Sequence, residues 1–366
     1  MMMDKKKYER YHRQMILKDF GIANQDKLFQ AKILVIGAGG LGCPVLQYLA
    51  AAGIGYIGVV DDGVVELSNL HRQVLYTMND LYRLKVDCVK SMLEKMNPDT
   101  AVLAFPDRLD TSNALELIGE YDIIIDGTDN FQSKYMINDA CVLLNKPLIY
   151  GALSRYEGQV AIFRDQINYR DVFPNPPQEG EIMNCSEAGV LGVLPGIIGN
   201  MMASECIKLL TGIGEPLTGQ LLTYNALNNM LFTVVINATA QSAELIPKTK
   251  EEFINTDYYY LCNHAEDAAE LIPNQLLALL SKEDVDIVDV REWTEKPDLI
   301  GLDHLRIPLS VFENDIHRIK KHTVVFVCQS GKRSRLAAHK FGELNKETER
   351  KIYSLKGGIH SLMDIV

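Results

Sequence analysis

Apolar runs of strand length alternate along the chain with amphipathic segments of helical period. The first run, residues 33–36, ends in a glycine-rich turn, and the apolar positions after it recur at helical spacing. Later apolar runs of strand length stand at residues 54–60, 101–105, 121–126, 147–152, 159–163, 221–224 and 230–236. Because strands that alternate with helices along a chain form parallel sheets, this pattern predicts a mostly parallel α/β sheet.

The pattern breaks after residue 238 and resumes near residue 270. Between these points the chain carries polar and charged residues and then three tyrosines, which is typical of a linker. Beyond it the sequence predicts a helix at residues 274–280, strands at 285–290 and 323–327, and a second helix that starts at Arg335. We therefore expect a first α/β domain, a linker and a small second α/β domain, over residues 1–238, 239–269 and 270–366.

The composition limits the classes of protein that fit this chain. It has 366 residues, of which 47% are hydrophobic and 23% charged, with a formal net charge of -11. This acidic balance argues against a nucleic-acid partner, since such binders carry a basic surplus. No apolar run is long enough to cross a bilayer and no apolar signal segment starts the chain, so we expect no membrane partner. The seven cysteines are scattered without a CxxC pair, which predicts a reducing cytoplasm.

The first strand leads into a turn suited to binding phosphate. Residues 37–42 read Gly-Ala-Gly-Gly-Leu-Gly, with glycines at Gly37, Gly39, Gly40 and Gly42. Glycines let the backbone turn sharply and approach a phosphate, and the helix that follows offers unpaired N–H groups to an anion. The second strand ends at Asp61, where a carboxylate can bind ribose hydroxyls. Together these features predict a nucleotide site.

Polar segments follow the carboxyl ends of two strands, where doubly wound sheets bind their ligands. After the second strand the chain reads Ser68-Asn69-Leu70-His71-Arg72-Gln73, in which Asn69 and Arg72 are candidate phosphate contacts. The fourth strand leads into Thr128-Asp129-Asn130, and Asp129 is placed to hold Mg²⁺ on a nucleotide phosphate. The same aspartate also fits an Asx turn or a helix N-cap.

Two of the seven cysteines stand in settings that favour reactivity. Cys328 lies between a strand and a helix, in Cys328-Gln329-Ser330-Gly331-Lys332-Arg333-Ser334. Loop N–H groups, the start of the helix and the positive charges of Lys332 and Arg333 would stabilise a thiolate or persulfide. Cys185 follows a polar, proline-rich loop and is the second candidate. Four others lie in apolar helical patterns and are more simply core residues: Cys43, Cys88, Cys141 and Cys206.

Taken together, these motifs resemble the MoeB/ThiF family, whose members are similar to the adenylation half of ubiquitin-activating enzymes. The resemblance spans residues 8–236 in order. Its matching motifs are Arg10-Tyr11-His12-Arg13-Gln14, the turn at residues 37–42, Asp61-Asp62, Ser68 to Gln73, Lys85, Thr128-Asp129-Asn130 and Cys185-Ser186-Glu187-Ala188-Gly189-Val190. Residues 270–366 resemble a rhodanese domain, through Asp289-Val290-Arg291-Glu292, Ile307-Pro308-Leu309, the Cys328 loop and Leu355-Lys356-Gly357-Gly358.

The resemblance implies a Rossmann-like adenylation domain that binds ATP and Mg²⁺. Arg13 and Lys85, which spacing alone assigns to solvated helix faces, would then be site residues, and Arg13 would reach into the partner subunit of a homodimer. Asp129 would position Mg²⁺, Cys185 would be the family's mobile-loop cysteine, and Cys328 would carry a persulfide. The implied ATP contacts are Gly37, Gly39, Gly40, Gly42, Asp61, Ser68, Asn69, Arg72, Lys85, Asp129 and Asn130.

The implied function is adenylation of a small ubiquitin-like sulfur carrier that ends in Gly-Gly, as in molybdopterin or thiamine biosynthesis. The Cys328 persulfide, loaded by a cysteine desulfurase or another sulfur donor, would then convert the activated carrier to a thiocarboxylate. Cys185 would either hold an acyl thioester or release the product by forming a disulfide with Cys328. The sequence leaves that choice, the carrier and the pathway open.

Two other hypotheses belong to different classes of protein. The glycine turn alone would permit an NAD-linked oxidoreductase, although no base of a substrate domain is visible. A non-catalytic module that binds a ubiquitin-like protein is the other hypothesis, although a scaffold would not need the full set of phosphate contacts.

The chain departs from the family pattern at two places. Relatives often hold structural zinc in two CxxC pairs, but here those positions read Asn168-Tyr169-Arg170-Asp171 and Tyr259-Tyr260-Leu261-Cys262. One cysteine cannot complete a four-cysteine site, so we predict no zinc. The rhodanese-like part replaces the usual His-Ile-Pro-Gly-Ala approach with Gly-Leu-Asp-His-Leu-Arg at residues 301–306.

Overall fold

The computed structural model describes most of the chain as two compact units. The described residues are 5–176, 189–256, 258, 269–281, 284–293, 295, 299, 302–329, 331–345, 350–359 and 361. The first unit comprises the described residues up to Tyr258, and the second comprises those from Ala269 onward. Within these ranges, no helix is long and apolar enough to cross a membrane.

The first unit is built on an eight-stranded sheet with the order β3-β2-β1-β4-β5-β6-β7-β8. Strands β1 to β5 run parallel, and each of the last three runs antiparallel to the strand before it. The strands are Lys32–Ile36 (β1), Tyr56–Val60 (β2), Ala101–Phe105 (β3), Ile123–Asp126 (β4), Leu148–Ser154 (β5), Glu157–Phe163 (β6), Gln220–Asn225 (β7) and Met230–Val235 (β8).

The antiparallel part of the sheet follows from a short connection. Only Arg155 and Tyr156 separate β5 from β6, and a two-residue loop joins antiparallel strands, whereas parallel strands need a long crossover. Arg155 has a positive φ of 51°, as tight hairpin turns require. Strands β1 and β4 are apolar and almost wholly buried, which is typical of parallel strands covered on both faces. The predicted Rossmann-like, mostly parallel α/β fold is therefore confirmed.

Helices connect and cover these strands. Helix α7, Leu194–Thr211, packs against α3, Gly42–Ala52, and against β5 and β6. A Cβ on Gly199 of α7 would lie 2.7 Å from the carbonyl oxygen of Leu41, so a glycine lets α7 approach the start of α3. The helices are Lys5–Met15 (α1), Gly21–Gln30 (α2), Gly42–Ala52 (α3), Lys85–Met96 (α4), Ala114–Gly119 (α5), Phe131–Leu143 (α6), Leu194–Thr211 (α7), Ala240–Leu245 (α8) and Lys250–Asn255 (α9).

The segment predicted as a linker contributes structure to the first unit. It contains α8 and α9, and Phe253 of α9 is fully buried. Tyr258 is also buried, and its hydroxyl donates to the carboxylate of Asp139 in α6 at 2.9 Å. Residues 257 and 259–268 lie outside the described residues. The domain limits given above stay a prediction.

The second unit is a five-stranded parallel sheet with the order β11-β10-β12-β13-β9. Its central strands β10 and β12 are the two apolar runs predicted from the sequence. Helix α12 begins at Lys332, earlier than the predicted start at Arg335, because Gly331 with a φ of 92° caps the helix there. The elements are Ala269–Leu271 (β9), Pro273–Leu280 (α10), Val285–Asp289 (β10), Leu305–Arg306 (β11), Phe312–Asp315 (α11), Thr323–Val327 (β12), Lys332–Leu344 (α12) and Lys351–Leu355 (β13).

Candidate active site

The glycine turn after β1 is held by backbone contacts that leave little room for side chains. Gly37 has a φ of 96° and donates its N–H to the carbonyl oxygen of Val60 at 2.8 Å, which ties β1 to the end of β2. A Cβ on Gly42 would lie 2.0 Å from the carbonyl oxygen of Gly37, so α3 begins this close to the strand only with glycine. A Cβ on Gly39 would meet only Gln73 Nε2, at 3.7 Å. The turn thus presents bare backbone, as phosphate binding requires.

Asp61, which follows β2 directly, holds this turn in place through hydrogen bonds that its carboxylate accepts. Its Oδ2 accepts from the N–H of Ala38 at 2.8 Å, and its Oδ1 accepts from the N–H of Gly63 at 2.8 Å. The ammonium nitrogen of Lys85, the first residue of α4, lies 3.8 Å from Oδ1. Both side chains are mostly buried. The structure therefore brings Asp61 and Lys85 together at the turn.

Ser68, Asn69 and Arg72 come from the polar segment after β2. Asn69 is buried, and its carbonyl oxygen accepts from the N–H of Arg72 at 3.0 Å. The guanidinium of Arg72 donates to the carbonyl oxygen of Ser68 at 3.1 Å and lies 2.8 Å from His71 Nε2. A Cβ on Gly40 would lie 3.7 Å from Arg72 Cγ, so this arginine lies beside the glycine turn.

Asp129 and Asn130 follow β4, and the structure gives them different tasks. Asn130 is the N-cap of α6, because its side chain accepts from the N–H of Ser133 at 2.9 Å. The Asx turn belongs to Asp126, whose Oδ1 accepts from the N–H and the hydroxyl of Thr128 at 2.9 and 2.6 Å. Asp129 is exposed, and its side chain makes no hydrogen bond or ion pair to any described residue. Both structural alternatives therefore fall to its neighbours, and the Asp129 carboxylate is available to a ligand.

The donors at this edge suit a Mg²⁺ ion shared with a nucleotide. In the part of the chain that the structure describes, no cluster of three His, Cys, Asp or Glu side chains could hold a metal alone. Mg²⁺ commonly binds one or two carboxylates together with substrate phosphates rather than a cage of protein ligands. The carboxylate of Asp129 fits such a shared site.

Two buried polar side chains near the site were not among the residues predicted from the sequence. Gln73 is 4% exposed, and its Oε1 has no hydrogen-bond partner among the described residues. Lys134 is 5% exposed and pairs with Asp126 at 3.0 Å. A lysine in the first turn of the helix that follows Thr128-Asp129-Asn130 is the sequence signal for Lys134, and the position next to Arg72 is the signal for Gln73. Because unsatisfied buried groups are rare, Gln73 is a further candidate ligand contact.

Arg13 does not reach the glycine turn of its own chain. It is exposed on α1, and none of the described residues accepts a hydrogen bond from its side chain. Its neighbour Gln14 donates to the carbonyl oxygen of Ala52, the last residue of α3, at 2.9 Å. The turn lies at the other end of α3, which has 11 residues and is about 16 Å long. Within one chain, α3 therefore separates Arg13 from the other predicted site residues.

In the second unit, Cys328 follows β12 and lies in a polar niche. Cys328 is fully buried, and its Sγ accepts from the N–H of Gly331 at 3.2 Å. The hydroxyl oxygen of Ser334 lies 3.5 Å from Sγ and 2.9 Å from the hydroxyl of Ser354. A Cβ on Gly358 would lie 2.3 Å from the carbonyl oxygen of Cys328, so the chain closes tightly over the loop. The cysteine lies between strand and helix, as the sequence predicts, and an N–H there stabilises negative charge on sulfur.

The positive charge expected beside Cys328 is partly neutralised. Arg333 forms a two-pronged ion pair with Glu295, at 2.5 and 2.7 Å, and this arginine lowers the pKa of the Glu295 carboxyl below its usual range. Sequence reasoning missed Glu295, which is distant along the chain. Arg291 is fully buried and pairs with Asp289 at 2.7 Å. The prediction that Arg333 simply adds positive charge is thus corrected, and the side chain of Lys332 lies outside the described residues.

The other cysteines differ from Cys328 in their surroundings. Burial raises the pKa of Cys43 to about 12 and also raises the pKa of each of the other buried helical thiols. Thiols that stay protonated are poor nucleophiles, so the interpretation of these cysteines as core residues agrees with the structure. They are Cys43, Cys88, Cys141 and Cys206. Cys185 and Cys262 lie outside the described residues.

A buried ionic cluster includes Arg170, which lies in the first of the two stretches where zinc ligands would be expected. Arg170 donates to both carboxylate oxygens of Asp139, at 2.9 and 2.8 Å, and Tyr258 donates to Asp139 Oδ2 at 2.9 Å. We call Asp139, Arg170 and Tyr258 the Asp139 triad. The guanidinium of Arg170 also lies over the ring of Tyr135, 4.8 Å from its centroid. The triad joins α6 to residues 168–171 and to Tyr258.

A second set of hydrogen bonds ties residues 168–171 to the start of α8. Asp171 Oδ1 accepts from the N–H of Thr239 at 2.8 Å and from the hydroxyl of Ser242 at 2.5 Å. Asn168 donates to Asp171 Oδ2 at 2.9 Å. These oxygen and nitrogen contacts connect residues 168–171, the first of the two CxxC stretches in the family pattern, to Thr239 and Ser242, and none of the residues that make them is a cysteine.

Comparison with known proteins places both units in known families. The profile of the ThiF family matches residues 11–245, and that of the rhodanese-like domain matches residues 272–364. The sulfur carrier protein adenylyltransferase of Thermus thermophilus is 50% identical over 234 residues, which are 62% of this chain and 86% of that protein. The probable adenylyltransferase/sulfurtransferase MoeZ of Mycobacterium tuberculosis is 38% identical over 378 aligned residues, covering 98% of this chain and 93% of that protein.

Solved structures agree with the fold. A crystal structure of E. coli MccB with MccA-N7isoASN has a TM-score of 0.57 and 23% identity, covering 63% of this chain and 72% of that chain. The Thermus and Mycobacterium relatives are named as adenylyltransferases, not as oxidoreductases or binding modules, and the MoeZ alignment runs through both units. Since the ThiF profile matches well over half of the chain, this chain belongs to the ThiF family and carries a rhodanese-like domain after its ThiF domain.

Proposed function

We propose that this chain uses ATP to adenylate the C-terminal glycine of a ubiquitin-like sulfur carrier protein and then transfers sulfur to it. The observation that carries the proposal is the grouping of Asp61, Lys85 and Arg72 around the bare backbone of the glycine turn. The Thermus relative is named for adenylating a sulfur carrier protein, and MoeZ is named for adenylyltransferase and sulfurtransferase activity together. Both names fit a chain with a nucleotide turn and a cysteine loop.

Adenylation brings like charges together, which is the main barrier that the site must lower. The terminal carboxylate of the carrier attacks the α-phosphate of ATP, and pyrophosphate leaves. The cationic side chains of Arg72 and Lys85 offset the repulsion and stabilise the leaving pyrophosphate. Asp61 keeps lone pairs for the ribose hydroxyls after it has accepted from Ala38 and Gly63. A Mg²⁺ ion held by Asp129 and the phosphates would supply further positive charge.

Sulfur transfer follows at the cysteine loop of the second unit. A persulfide on Cys328 attacks the carbonyl carbon of the acyl-adenylate, and AMP leaves. The N–H of Gly331, which donates to Sγ, stabilises negative charge on the sulfur. Attack by a second thiol on Cys328 Sγ then releases the thiocarboxylate and leaves a disulfide, which a thiol reductant must reduce. Cys185 is our candidate for that thiol, and an acyl thioester on Cys185 is the alternative route.

The partners and the setting are part of the same proposal. Arg13 would complete the site of the partner subunit in a homodimer, and a cysteine desulfurase or another donor would load Cys328 in the cytoplasm. Molybdopterin biosynthesis is the favoured pathway over thiamine biosynthesis. It is supported by a relative in Porphyra purpurea named as a probable molybdopterin-synthase adenylyltransferase, 49% identical over 223 residues, which are 60% of this chain and 58% of that protein.

We further propose that the first domain holds no structural zinc. Its residues 168–171 lack the cysteines of the family pattern, and the Asp139 triad ties Arg170 of this stretch to α6 and to Tyr258. Elemental analysis of protein purified without chelators should find no stoichiometric zinc. One zinc per chain would contradict this part of the proposal.

The proposal is tested first by ATP–pyrophosphate exchange with a panel of carriers that end in Gly-Gly. We expect exchange that depends on one carrier, and thiocarboxylate on that carrier when a sulfur donor is added. Replacing Cys328→Ala should leave exchange intact and abolish thiocarboxylate, because adenylation uses only the first domain. The buried thiol variant Cys206→Ala, tested at a temperature where it is folded, is the matched control. Equal loss of both activities in Cys328→Ala, with neither lost in the control, would overturn the division of labour.

A further inference from the structure

We propose that Lys134 is a positioning residue for adenylation, which fixes the carboxylate of Asp129 by anchoring Asp126. This inference rests on the proposed function, because it concerns how the same nucleotide site holds its metal. Lys134 touches neither the glycine turn nor Asp129 in the hydrogen bonds of the described residues, so its effect is indirect. It lies in the first turn of α6, four residues after the N-cap.

Lys134 joins three elements at the edge of the sheet that carries the site. Its ammonium donates to Asp126 Oδ2 at 3.0 Å, at the end of β4, and to the carbonyl oxygen of Gly151 in β5 at 2.8 Å. The same nitrogen lies over the ring of Tyr150, 4.9 Å from its centroid. The side chains of Lys134 and Asp126 are 6% and 1% exposed, so water screens this pair weakly. One buried cation therefore fixes the start of α6 to both strands.

Asp126 passes this constraint to the backbone that carries Asp129. While its Oδ2 is held by Lys134, its Oδ1 accepts from the N–H and the hydroxyl of Thr128. On the other side, the Asn130 side chain closes the first turn of α6 by accepting from the N–H of Ser133. Asp129 thus lies between two turns, each of which is closed by a hydrogen bond from the backbone to a side chain.

Because no described residue holds the Asp129 carboxylate directly, its position is set by these two turns. A metal ligand must be held within a few tenths of an ångström to be effective, and it is the surrounding contacts that hold it. If the ammonium of Lys134 is removed, the carboxylate of Asp126 loses its buried partner and is free to rotate away from Thr128. The turn before Asp129 then loosens, and the shared Mg²⁺ site should weaken while the glycine turn keeps its own contacts.

The test uses the whole chain and measures ATP binding by calorimetry with and without Mg²⁺. We compare Lys134→Met, the double variant Asp126→Asn with Lys134→Met, and Asp129→Asn. The double variant removes both buried charges together, so it stays informative where Lys134→Met alone folds poorly. The matched control is Lys146→Met. Lys146 also donates to backbone carbonyl oxygens, those of Tyr121 and Gly119 at 2.6 and 2.9 Å, but it follows the opposite end of α6.

We expect the wild-type chain to bind ATP more tightly with Mg²⁺ than without it. Both Lys134 variants and Asp129→Asn should lose most of that gain, with an affinity for metal-free ATP within about threefold of wild type, and Lys146→Met should keep the gain. In exchange assays, misplacement of the carboxylate should lower kcat on the order of 10- to 100-fold. The inference is overturned if wild type shows no Mg²⁺ gain, if the folded Lys134 variants keep it, or if the control loses it equally. Absence of exchange with every carrier in wild type would instead count against the proposed function.

Discussion

The glycines of the turn after β1 look alike in the sequence but have different neighbours in the structure. A methyl group on Gly42 would lie 2.0 Å from the backbone of Gly37, which cannot move without breaking the contact between β1 and β2. A methyl group on Gly39 would meet only the flexible end of Gln73, at 3.7 Å. Gly42 is therefore required by the fold, whereas Gly39 leaves open the backbone surface at which we propose that phosphate binds.

This difference predicts that one alanine substitution lowers the stability of the fold and the other lowers the affinity for ATP. Gly42→Ala should lower the free energy of unfolding by about 3 kcal/mol, because overpacking against backbone is costly. Gly39→Ala should change it by less than about 0.5 kcal/mol and weaken ATP binding about tenfold, since it adds a methyl group to the phosphate-facing backbone. Urea unfolding and ATP titration measure the two quantities. Equal loss of stability in both variants would contradict this assignment.

For single residues, the sequence predicts well which side chains lie together at the candidate site. It predicts less well which contact each of them makes. Asp61 and Arg72 are recognisable because they follow a strand, and parallel strands end at one edge of the sheet. The hydrogen bond from Ala38 to Asp61 is not recognisable, because it depends on how the turn folds back. For Asp129 the sequence left a capping role open, and only the backbone geometry assigns the cap to Asn130.

At the scale of elements, polar side chains rather than apolar packing fasten several connections. The Asp139 triad holds α6 against residues 168–171 and Tyr258, and Arg333 with Glu295 holds the start of α12 to the segment after β10. Neither contact could be predicted from the sequence, because the partners lie far apart along the chain and pair only after the fold has formed. The strands themselves were predictable, because their apolar runs are local.

The Asp139 triad predicts a large effect from the loss of one hydroxyl. Tyr258→Phe keeps the ring but leaves the buried carboxylate of Asp139 with one hydrogen-bond donor fewer. This loss should lower the free energy of unfolding by about 1–3 kcal/mol. The control Tyr156→Phe, at an exposed position, should cost less than about 0.5 kcal/mol. Thermal unfolding of both variants, with and without a zinc chelator, checks this. If the chelator lowered the unfolding temperature of the wild-type protein, a bound metal would also stabilise this connection.

The ion pair of Arg333 and Glu295 predicts a dependence of stability on pH. The pKa of Glu295 is lowered, chiefly by its hydrogen bonds from Arg333, so the folded state prefers the ionised carboxylate. Its stabilisation is then complete above the ordinary glutamate value of 4.5 and is lost as the pH falls through the lowered pKa. The difference in unfolding free energy between wild type and Glu295→Gln should therefore shrink on acidification. A difference that stays constant from neutral pH to about pH 3 would contradict the pairing.

At the scale of the whole molecule, the placement of Arg13 bears on how many chains make one site. This residue lies at the far end of α3 from the glycine turn of its own chain, although the resemblance counts it among the catalytic residues. The proposed isologous dimer would reconcile the two, because each subunit would then supply to its partner what its own site lacks.

A mixture of two inactive variants tests this arrangement. Arg13→Ala and Asp129→Asn should each be inactive as homodimers, and mixed dimers should regain one working site of two. After random exchange of subunits, about a quarter of wild-type exchange activity should return. If Arg13 acted within its own chain, no mixture would regain activity. Size-exclusion chromatography before and after mixing shows whether the subunits have exchanged.

The Asp139 triad and the bonds of Asp171 have a consequence for the conditions under which the protein matures. Oxygen and nitrogen atoms make all of these described contacts, so these particular bonds involve neither a metal ion nor a thiolate that peroxide could oxidise. If the first domain holds no structural zinc, as we propose, a cell short of zinc should still assemble this part of the molecule. Oxidants would then act on the sulfur of Cys328, the proposed persulfide carrier, and leave these contacts intact.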